Sequence, residues 1–326
     1  MNQNLPTPNF CESNLNHCSR SGPVVQWNVW ALAWMCGATW LLGALGAPPA
    51  KGQEEKAASI QVMSYNIRYG TARDGDNHWS KRKDDFIALI KKYDPDLLGT
   101  QETLAFQGEF IRQNLPHLAS FGVGRDDGRE GGEMALLFYR SDRFEKLDGG
   151  NFWLSETPDE IASQSWDSAL PRIASWVHLK DLRSSDQRQF LFLNTHFDHV
   201  GREARQKSSQ LLKKFISDYL ATCDTELSVV ITGDFNEPEG SPSYQALVGQ
   251  PVTDTLKLLD TYRVVHPQRG PDEGTFSGFD ARRTGGGRID WILVSDHWRI
   301  RDASIDRTSK ENRTPSDHFP VLAEIN

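Results

Sequence analysis

Leu227-Ser228-Val229-Val230-Ile231-Thr232-Gly233-Asp234-Phe235-Asn236-Glu237 is the stretch that decides how this chain is read. A short apolar, β-branched run closed by Gly233 predicts a buried strand, and Asp234 and Asn236 follow just beyond its end. Strand ends are where an α/β sheet carries its chemistry. An acid and an amide two residues apart project to the same side of an extended chain, so they can orient one water and one substrate oxygen together. The competing reading is a strand that ends in an Asx-type turn, with Phe235 plugging the core.

Working outward, polar groups recur at strand ends. Ile60 to Ile67 alternates as a strand and ends in Tyr65-Asn66-Ile67-Arg68, which puts Asn66 at its tip, where it either acts or closes a turn. Trp79, Phe86, Leu89, Ile90 and Tyr93 keep helical spacing, and Pro95 stops that helix. Asp96 to Thr100 is a second strand that delivers Gln101-Glu102. Glu102 is either a solvated helix cap or a carboxylate ligand for Mg²⁺, a hard cation that prefers oxygen. Gly122 to Gly132 is a charged, glycine-rich loop without phosphate-loop spacing, and Glu133 follows it at the start of the strand Met134 to Tyr139.

Asn151 to Arg172 reads as a long polar connection carrying Trp153 and Trp166, which are either packing anchors or substrate-stacking rings. Arg172 suits a phosphate oxygen, or an ion pair with Asp167. Ile173 to Leu179 and Phe190 to Asn194 are strands, the latter running into Thr195-His196-Phe197-Asp198-His199. His196 is placed to donate to a developing oxyanion, with Asp198 and His199 in support. A long helix through Ala204, Leu212 and Tyr219 leads back to the Asp234 strand. Near the C-terminus, Asp290 lies inside the apolar strand Arg288 to Ser295 and needs a partner, Arg288 or Arg282 in the bland reading. Finally, Pro315-Ser316-Asp317-His318-Phe319-Pro320 forms a turn in which the Asp317 carboxylate can fold back onto the His318 imidazole.

The 326 residues are 38% hydrophobic and 25% charged, an ordinary globular composition long enough for one large domain. Residues 1–50 carry only Glu12 and Arg20, so the whole net charge of -8 belongs to the rest. An acidic body disfavours tight, sequence-blind binding of nucleic acid. Cys11, Cys18 and Cys36 fall in the leader, which leaves Cys223 alone in the body and excludes an internal disulfide or a Cys/His zinc site there.

Residues 1–56 read as a signal peptide or signal anchor plus linker. No charge interrupts the run between Arg20 and Lys51, and Ala44-Leu45-Gly46 fits signal-peptidase cleavage. The expectation is export, with the product secreted, periplasmic or tethered to the outer face of the membrane through the apolar segment.

Taken together, Tyr65-Asn66, Gln101-Glu102, Thr195-His196, Gly233-Asp234-Phe235-Asn236, Ile289-Asp290 and Ser316-Asp317-His318 resemble, in type and order, the markers of the endonuclease/exonuclease/phosphatase superfamily. The resemblance runs from Ser59 to Asn326 and makes residues 57–326 the catalytic domain. It implies an α/β fold, a four-layer α/β/β/α sandwich of two stacked mixed β-sheets flanked by helices, with a cleft where the strand ends meet. It further implies that Glu102 binds Mg²⁺ with help from Asn66, with Mn²⁺ able to substitute. Asp234 would orient or deprotonate the attacking water, Asn236 would position water and phosphate, and His196 and His318 would hydrogen-bond the phosphoryl oxygens. Asp317 would orient His318, and Asp290 would support that side or a second metal. Arg172, Trp153 and Trp166 are the candidate substrate contacts.

The implied activity is Mg²⁺-dependent hydrolysis of phosphodiester bonds by in-line attack of water, nuclease-like in kind. A phospholipid or inositol-phosphate phosphatase, similar to sphingomyelinases, is the alternative enzyme, and an inactive binding protein on the same fold is the non-enzyme alternative. The expected partner is a phosphate ester (nucleic acid, phospholipid or inositol phosphate), with no protein partner. Phe121 and the acidic-glycine loop stand where nucleases of the superfamily often carry a tyrosine and a basic groove.

Overall fold

Period-two alternation builds both sheets of the computed structural model, which describes residues 59–326. The elements in chain order are β1 (Ile60–Asn66), α1 (Trp79–Tyr93), β2 (Leu97–Thr103), α2 (Ala105–Asn114), β3 (Leu118–Phe121), β4 (Met134–Arg140) and β5 (Phe144–Trp153). There follow β6 (Ile173–Asp181), β7 (Gln189–His196), α3 (Arg202–Ala221), β8 (Ser228–Asp234), α4 (Pro242–Val248) and β9 (Leu258–Asp260). The chain closes with α5 (Thr261–Val265), β10 (Asp290–Ser295), β11 (Ile300–Ile305) and β12 (Val321–Ile325). One sheet has the order β11-β12-β1-β2-β4-β3 and the other β5-β6-β7-β8-β10-β9.

The expected four-layer sandwich is what forms. Three apolar layers separate its elements. Met63, Tyr65, Leu98 and Phe138 pack outward from the first sheet against Phe86, Leu89 and Ile90 of α1. Leu191, Leu193, Val229 and Ile231 pack outward from the second against Leu212, Phe215 and Ile216 of α3. The middle layer joins Val62 and Leu97 to Phe190, Phe192, Val230 and Ile292 across the stacked sheets. Consecutive residues of one strand thus serve different layers, as the pleat requires.

In each sheet the central pair of strands is parallel, β1 with β2 and β7 with β8. Helices α1 and α3 make the crossovers, so these strand ends point the same way within each pair. Helix α1 stops as expected: Lys91 and Lys92 sit in its last turn and Asp94 caps it in the left-handed conformation, just before Pro95. Strand β5 departs from expectation. Four consecutive residues, Glu145 to Asp148, are exposed, so it shows no clean alternation, and it absorbs Phe152 and Trp153 into the sheet instead of leaving them in a loop. The signal peptide or anchor expected over residues 1–56 lies outside the described residues. Among the described residues, no helix is long and apolar enough to cross a membrane.

Candidate active site

The middle layer changes character along its length. On its inward face β1 carries Val62, Ser64 and Asn66, β7 carries Phe192, Asn194 and His196, and β8 carries Val230, Thr232 and Asp234. The apolar floor therefore gives way to hydroxyls and amides, then to ionisable groups at the rim of a cleft of about 770 Å³.

Asp234 sits at the centre. Its Oδ1 accepts the Asn236 backbone N–H at 2.9 Å, and its Oδ2 accepts from Asn66 Nδ2 at 2.9 Å. Oδ2 also lies 3.5 Å from His196 Nε2 and 3.7 Å from His318 Nε2. Burial, and then the charge of Asp290, push the Asp234 carboxyl up to about 7. Asn236 donates from Nδ2 to Phe197 O and to His196 Nε2, both at 3.0 Å.

Both histidines are buried, yet their imidazoles are shifted in opposite directions. Burial holds His196 well below the ordinary imidazole value, and the nearby guanidinium groups of Arg172 and Arg125 add to this, so it is neutral. Burial would lower His318 too, but the Asp290 and Asp234 carboxylates outweigh it and hold that imidazole well above the ordinary value.

His318 Nδ1 is paired with Asp290 Oδ2 at 2.9 Å. This corrects the role expected of Asp317, because adjacent side chains leave the backbone in different directions and Asp317 is turned away. It lies 3.7 Å from Arg68 Nε and accepts from Ser316 Oγ at 3.3 Å. Nor does Asp290 pair with an arginine, since Arg288 binds Asp260 and Arg282 binds Asp280.

Asn66 bridges two of the acids. Its Oδ1 accepts the Arg68 backbone N–H, while Nδ2 donates to both Glu102 Oε1 at 3.0 Å and Asp234. A backbone N–H demands oxygen and two carboxylates demand a donor, so the amide is oriented as a bridge between acids, with one Oδ1 lone pair left to spare. Glu102 also accepts the Tyr69 N–H through Oε2 at 3.1 Å. A register shift between Thr100 and Thr103, with Glu102 at φ 58°, turns that side chain into the cleft. Asn236 is also left-handed, at φ 52°. Such conformations cost about 1–3 kcal/mol and persist where the surroundings enforce them.

The residues fit a divalent cation. Glu102 and Asp317 share one guanidinium, Arg68, at 3.9 and 3.7 Å, so this pole attracts positive charge. Asp234 and Asp290 each place a carboxylate oxygen within 4.8 Å of the other, and Asp290 Oδ1 is buried without a hydrogen-bond partner. Oxygen-rich sets of this kind suit hard cations.

Arg172 lines the cleft and is buried, but its partner is Asp198 (3.3 Å), not Asp167. Asp167 instead caps α3, accepting from Glu203 N and Ala204 N. His199 Nδ1 meets Arg172 Nη2 at 2.9 Å, so Asp198 and His199 both support Arg172, whose Nη1 is buried and unpartnered. Neither tryptophan lines the cleft. Trp153 is buried, donating from Nε1 to Arg125 O, and Trp166 is half-buried in a turn outside the cleft lining. The cleft lining instead carries the rings of Tyr69 and Phe276, and Phe276 packs edge-on against His318.

Sequence reasoning also missed Thr275, whose Oγ1 accepts the N–H groups of Ile289 and Asp290 and so fixes the Asp290 backbone. A lone threonine gives no signal of such a role. Glu133, held by Arg125 at 2.8 and 3.1 Å, lines the cleft with Oε2 3.8 Å from His196 Nδ1.

The sequence model of the endonuclease/exonuclease/phosphatase family matches residues 63–318, a range that holds every group of this site. A solved endonuclease/exonuclease/phosphatase family protein from Bacteroides thetaiotaomicron is similar with a TM-score of 0.73 and 35% identity, covering 82% of this chain and 94% of that one. The mannosyl-6-phosphatase of the same organism is similar with a TM-score of 0.72 and 35% identity, covering 82% of this chain and 99% of that one. Probable RNA exonuclease NGL3 of Saccharomyces cerevisiae is 26% identical over 226 residues, which are 64% of this chain and 43% of that protein.

Proposed function

Because the chain belongs to the endonuclease/exonuclease/phosphatase family, whose members are metal-dependent hydrolases of phosphate esters, we propose that it hydrolyses a small phosphomonoester with Mg²⁺ or Mn²⁺. The observation that carries the chemistry is Asp234 Oδ2, set 3.5 and 3.7 Å from two imidazoles that are shifted in opposite directions. A carboxylate pushed up to about 7 is matched to taking a proton from water near neutral pH. Protonated His318 donates from Nε2 to a phosphoryl or leaving oxygen, while Asp290 holds its Nδ1. Asn236 keeps His196 and Asp234 in register, and the free Nη1 of Arg172 offers a further donor to phosphoryl oxygen. Glu102 and the neighbouring carboxylates would hold the cation, which when bound would neutralise charge on the phosphoryl oxygens.

The bounded cleft, with Leu170 and Arg172 lining it along with Phe276 and the Gly285–Gly287 run, favours a compact ester. So does the likeness to a mannosyl-6-phosphatase along nearly all of that enzyme's length. Nuclease-like cleavage of a phosphodiester is the second reading, favoured by the likeness to a yeast protein named as an RNA exonuclease. The net charge of -8 weighs against it. Export rests on the uncharged run between Arg20 and Lys51; N-terminal sequencing of the mature protein tests the cleaved form, and a start at Met1 overturns it.

The substrate test assays the full chain, with Mg²⁺ or EDTA, against hexose 6-phosphates, inositol phosphates, a phospholipid, RNA and single-stranded DNA. Release of inorganic phosphate from a sugar or polyol phosphate is the expected result. Fastest turnover on RNA or DNA, leaving phosphomonoester ends, would replace the first reading with the second.

A further inference from the structure

We propose that the buried polar tier beneath the cleft, formed by Ser64, Gln101, Asn194 and Thr232, is a clamp that sets the spacing between the two halves of the active site, with these four as positioning residues. The inference deepens the phosphoesterase reading and rests on it.

The tier has a regular place in the fold. Ser64 precedes Asn66 by two residues, Asn194 precedes His196 by two, Thr232 precedes Asp234 by two, and Gln101 directly precedes Glu102. Two of these residues come from the first sheet and two from the second. Asn194 is the hub. Its Oδ1 accepts from Gln101 Nε2 at 2.7 Å and from Thr232 Oγ1 at 3.1 Å. Its Nδ2 donates to the carbonyls of Thr100 at 2.8 Å and Leu136 at 2.9 Å, both on the opposite sheet. All the hydrogen-bonding capacity of this side chain is used, and its orientation is fixed by two backbone oxygens. Gln101 Nε2 also reaches Ser64 Oγ at 3.3 Å, which ties β1 into the same network.

Two features argue that the tier serves position rather than stability. One step below, the same inward face is closed by Val62, Phe192 and Val230, so apolar side chains could have continued the seal. Instead the chain retains buried amides, and Gln101 Oε1 has no hydrogen-bond partner, an arrangement that is unfavourable unless it specifies geometry. The sheets are also drawn unusually close here. A Cβ on Gly99 would lie 1.9 Å from Thr232 Oγ1 and 2.7 Å from Asn194 Oδ1. Directional bonds at this spacing fix where Glu102 and Asn66 of one sheet stand against His196 and Asp234 of the other, which apolar contacts alone do not.

The test uses the full-length protein with Thr232→Val, Thr232→Ser, Gln101→Met and, as comparator, Ser295→Ala, whose buried hydroxyl accepts Val229 N–H at the far end of β8. Turnover of p-nitrophenyl phosphate, Mn²⁺ affinity by electron paramagnetic resonance, and Tm are measured for each. Thr232→Val and Gln101→Met are expected to lower kcat about tenfold with KM changed by less than about twofold, and to weaken Mn²⁺ binding. Thr232→Ser is expected to recover both, and Ser295→Ala to lower Tm without touching either. Clamp variants that lose Tm while keeping wild-type kcat and Mn²⁺ affinity would overturn the proposal. Wild-type protein that turns over no phosphate ester would sink the proposed function instead, and Mn²⁺ affinity alone would then decide the clamp.

Discussion

Asp234 shows how a single side chain is prepared for chemistry by its neighbours. A bridging amide, a backbone N–H and two imidazoles surround its carboxylate, and the proposed function gives it the handling of a proton. Asp234→Asn keeps the size but turns one of the two accepting oxygens into a donor and removes the base. It should lower kcat about a thousandfold with little change in KM, measured by steady-state kinetics. The His318–Asp290 pair predicts a second outcome. With the carboxylate in place, His318 stays protonated above the ordinary imidazole range. In Asp290→Asn its titration, followed by NMR of the ring protons, should move down; an unmoved midpoint would mean that Asp290 does not hold the charge. At this scale the sequence was legible in part. That Asp290 must have a partner followed from the cost of burying a lone acid, but the partner lies 28 residues away on a turn, where local spacing carries no signal. Asn66 and Glu102 were visible as strand-end groups, whereas the direction in which the Asn66 amide points depends on Arg68 N–H and a distant acid.

The elements explain how the two readings of the D-F-N stretch fit together. Phe235 does plug the core, buried and stacked on Trp291 with ring centroids 4.3 Å apart. That anchoring is what presents Asp234 and Asn236 to the cleft on either side of it. Phe235→Ala should cost about 3–5 kcal/mol in denaturant unfolding, with kcat falling in the protein that remains folded. Gly99 makes the complementary case for β2. Because a methyl group there would collide with Thr232 and Asn194, Gly99→Ala should lower Tm and abolish turnover together, whereas wild-type stability in that variant would show that the sheets can part without consequence. Strands with one buried and one solvated face, or buried on both, were legible from alternation and β-branched runs. Strand β5, largely exposed along its middle, was not, and that is why Trp153 was expected at the substrate when it belongs to the sheet.

For the whole molecule, the fold brings strand tips that are far apart in sequence to one rim, and the ordered markers made that architecture legible before any coordinates. What they could not convey was the wall that closes the cleft: Phe276 and the Gly285–Gly287 run carry no pattern of their own. Global acid stability provides a check on the packing around Arg172. Burial alone would raise Asp198, but the N–H groups of Gly201, Val200 and Ala169, with Arg172, outweigh it and hold the carboxyl at about 2. A depressed folded-state value stabilises the protein at neutral pH, and that contribution is lost as pH falls from about 4 to about 2. Asp198→Asn should therefore show a lower Tm at pH 7 and a flatter fall in Tm over that acid window; an unchanged profile would remove Asp198 from the balance.

The central claim is that groups from both sheets form one cation-dependent phosphoesterase centre around Asp234. Its most direct test is a Mg²⁺ titration of hexose 6-phosphate hydrolysis, using EDTA-stripped full-length protein and the Asp234→Ala variant. The account predicts turnover that rises from background to saturation as Mg²⁺ is restored, and a variant that stays at background at every concentration. Hydrolysis that survives EDTA, or an Asp234→Ala protein that keeps pace with the wild type, would contradict it.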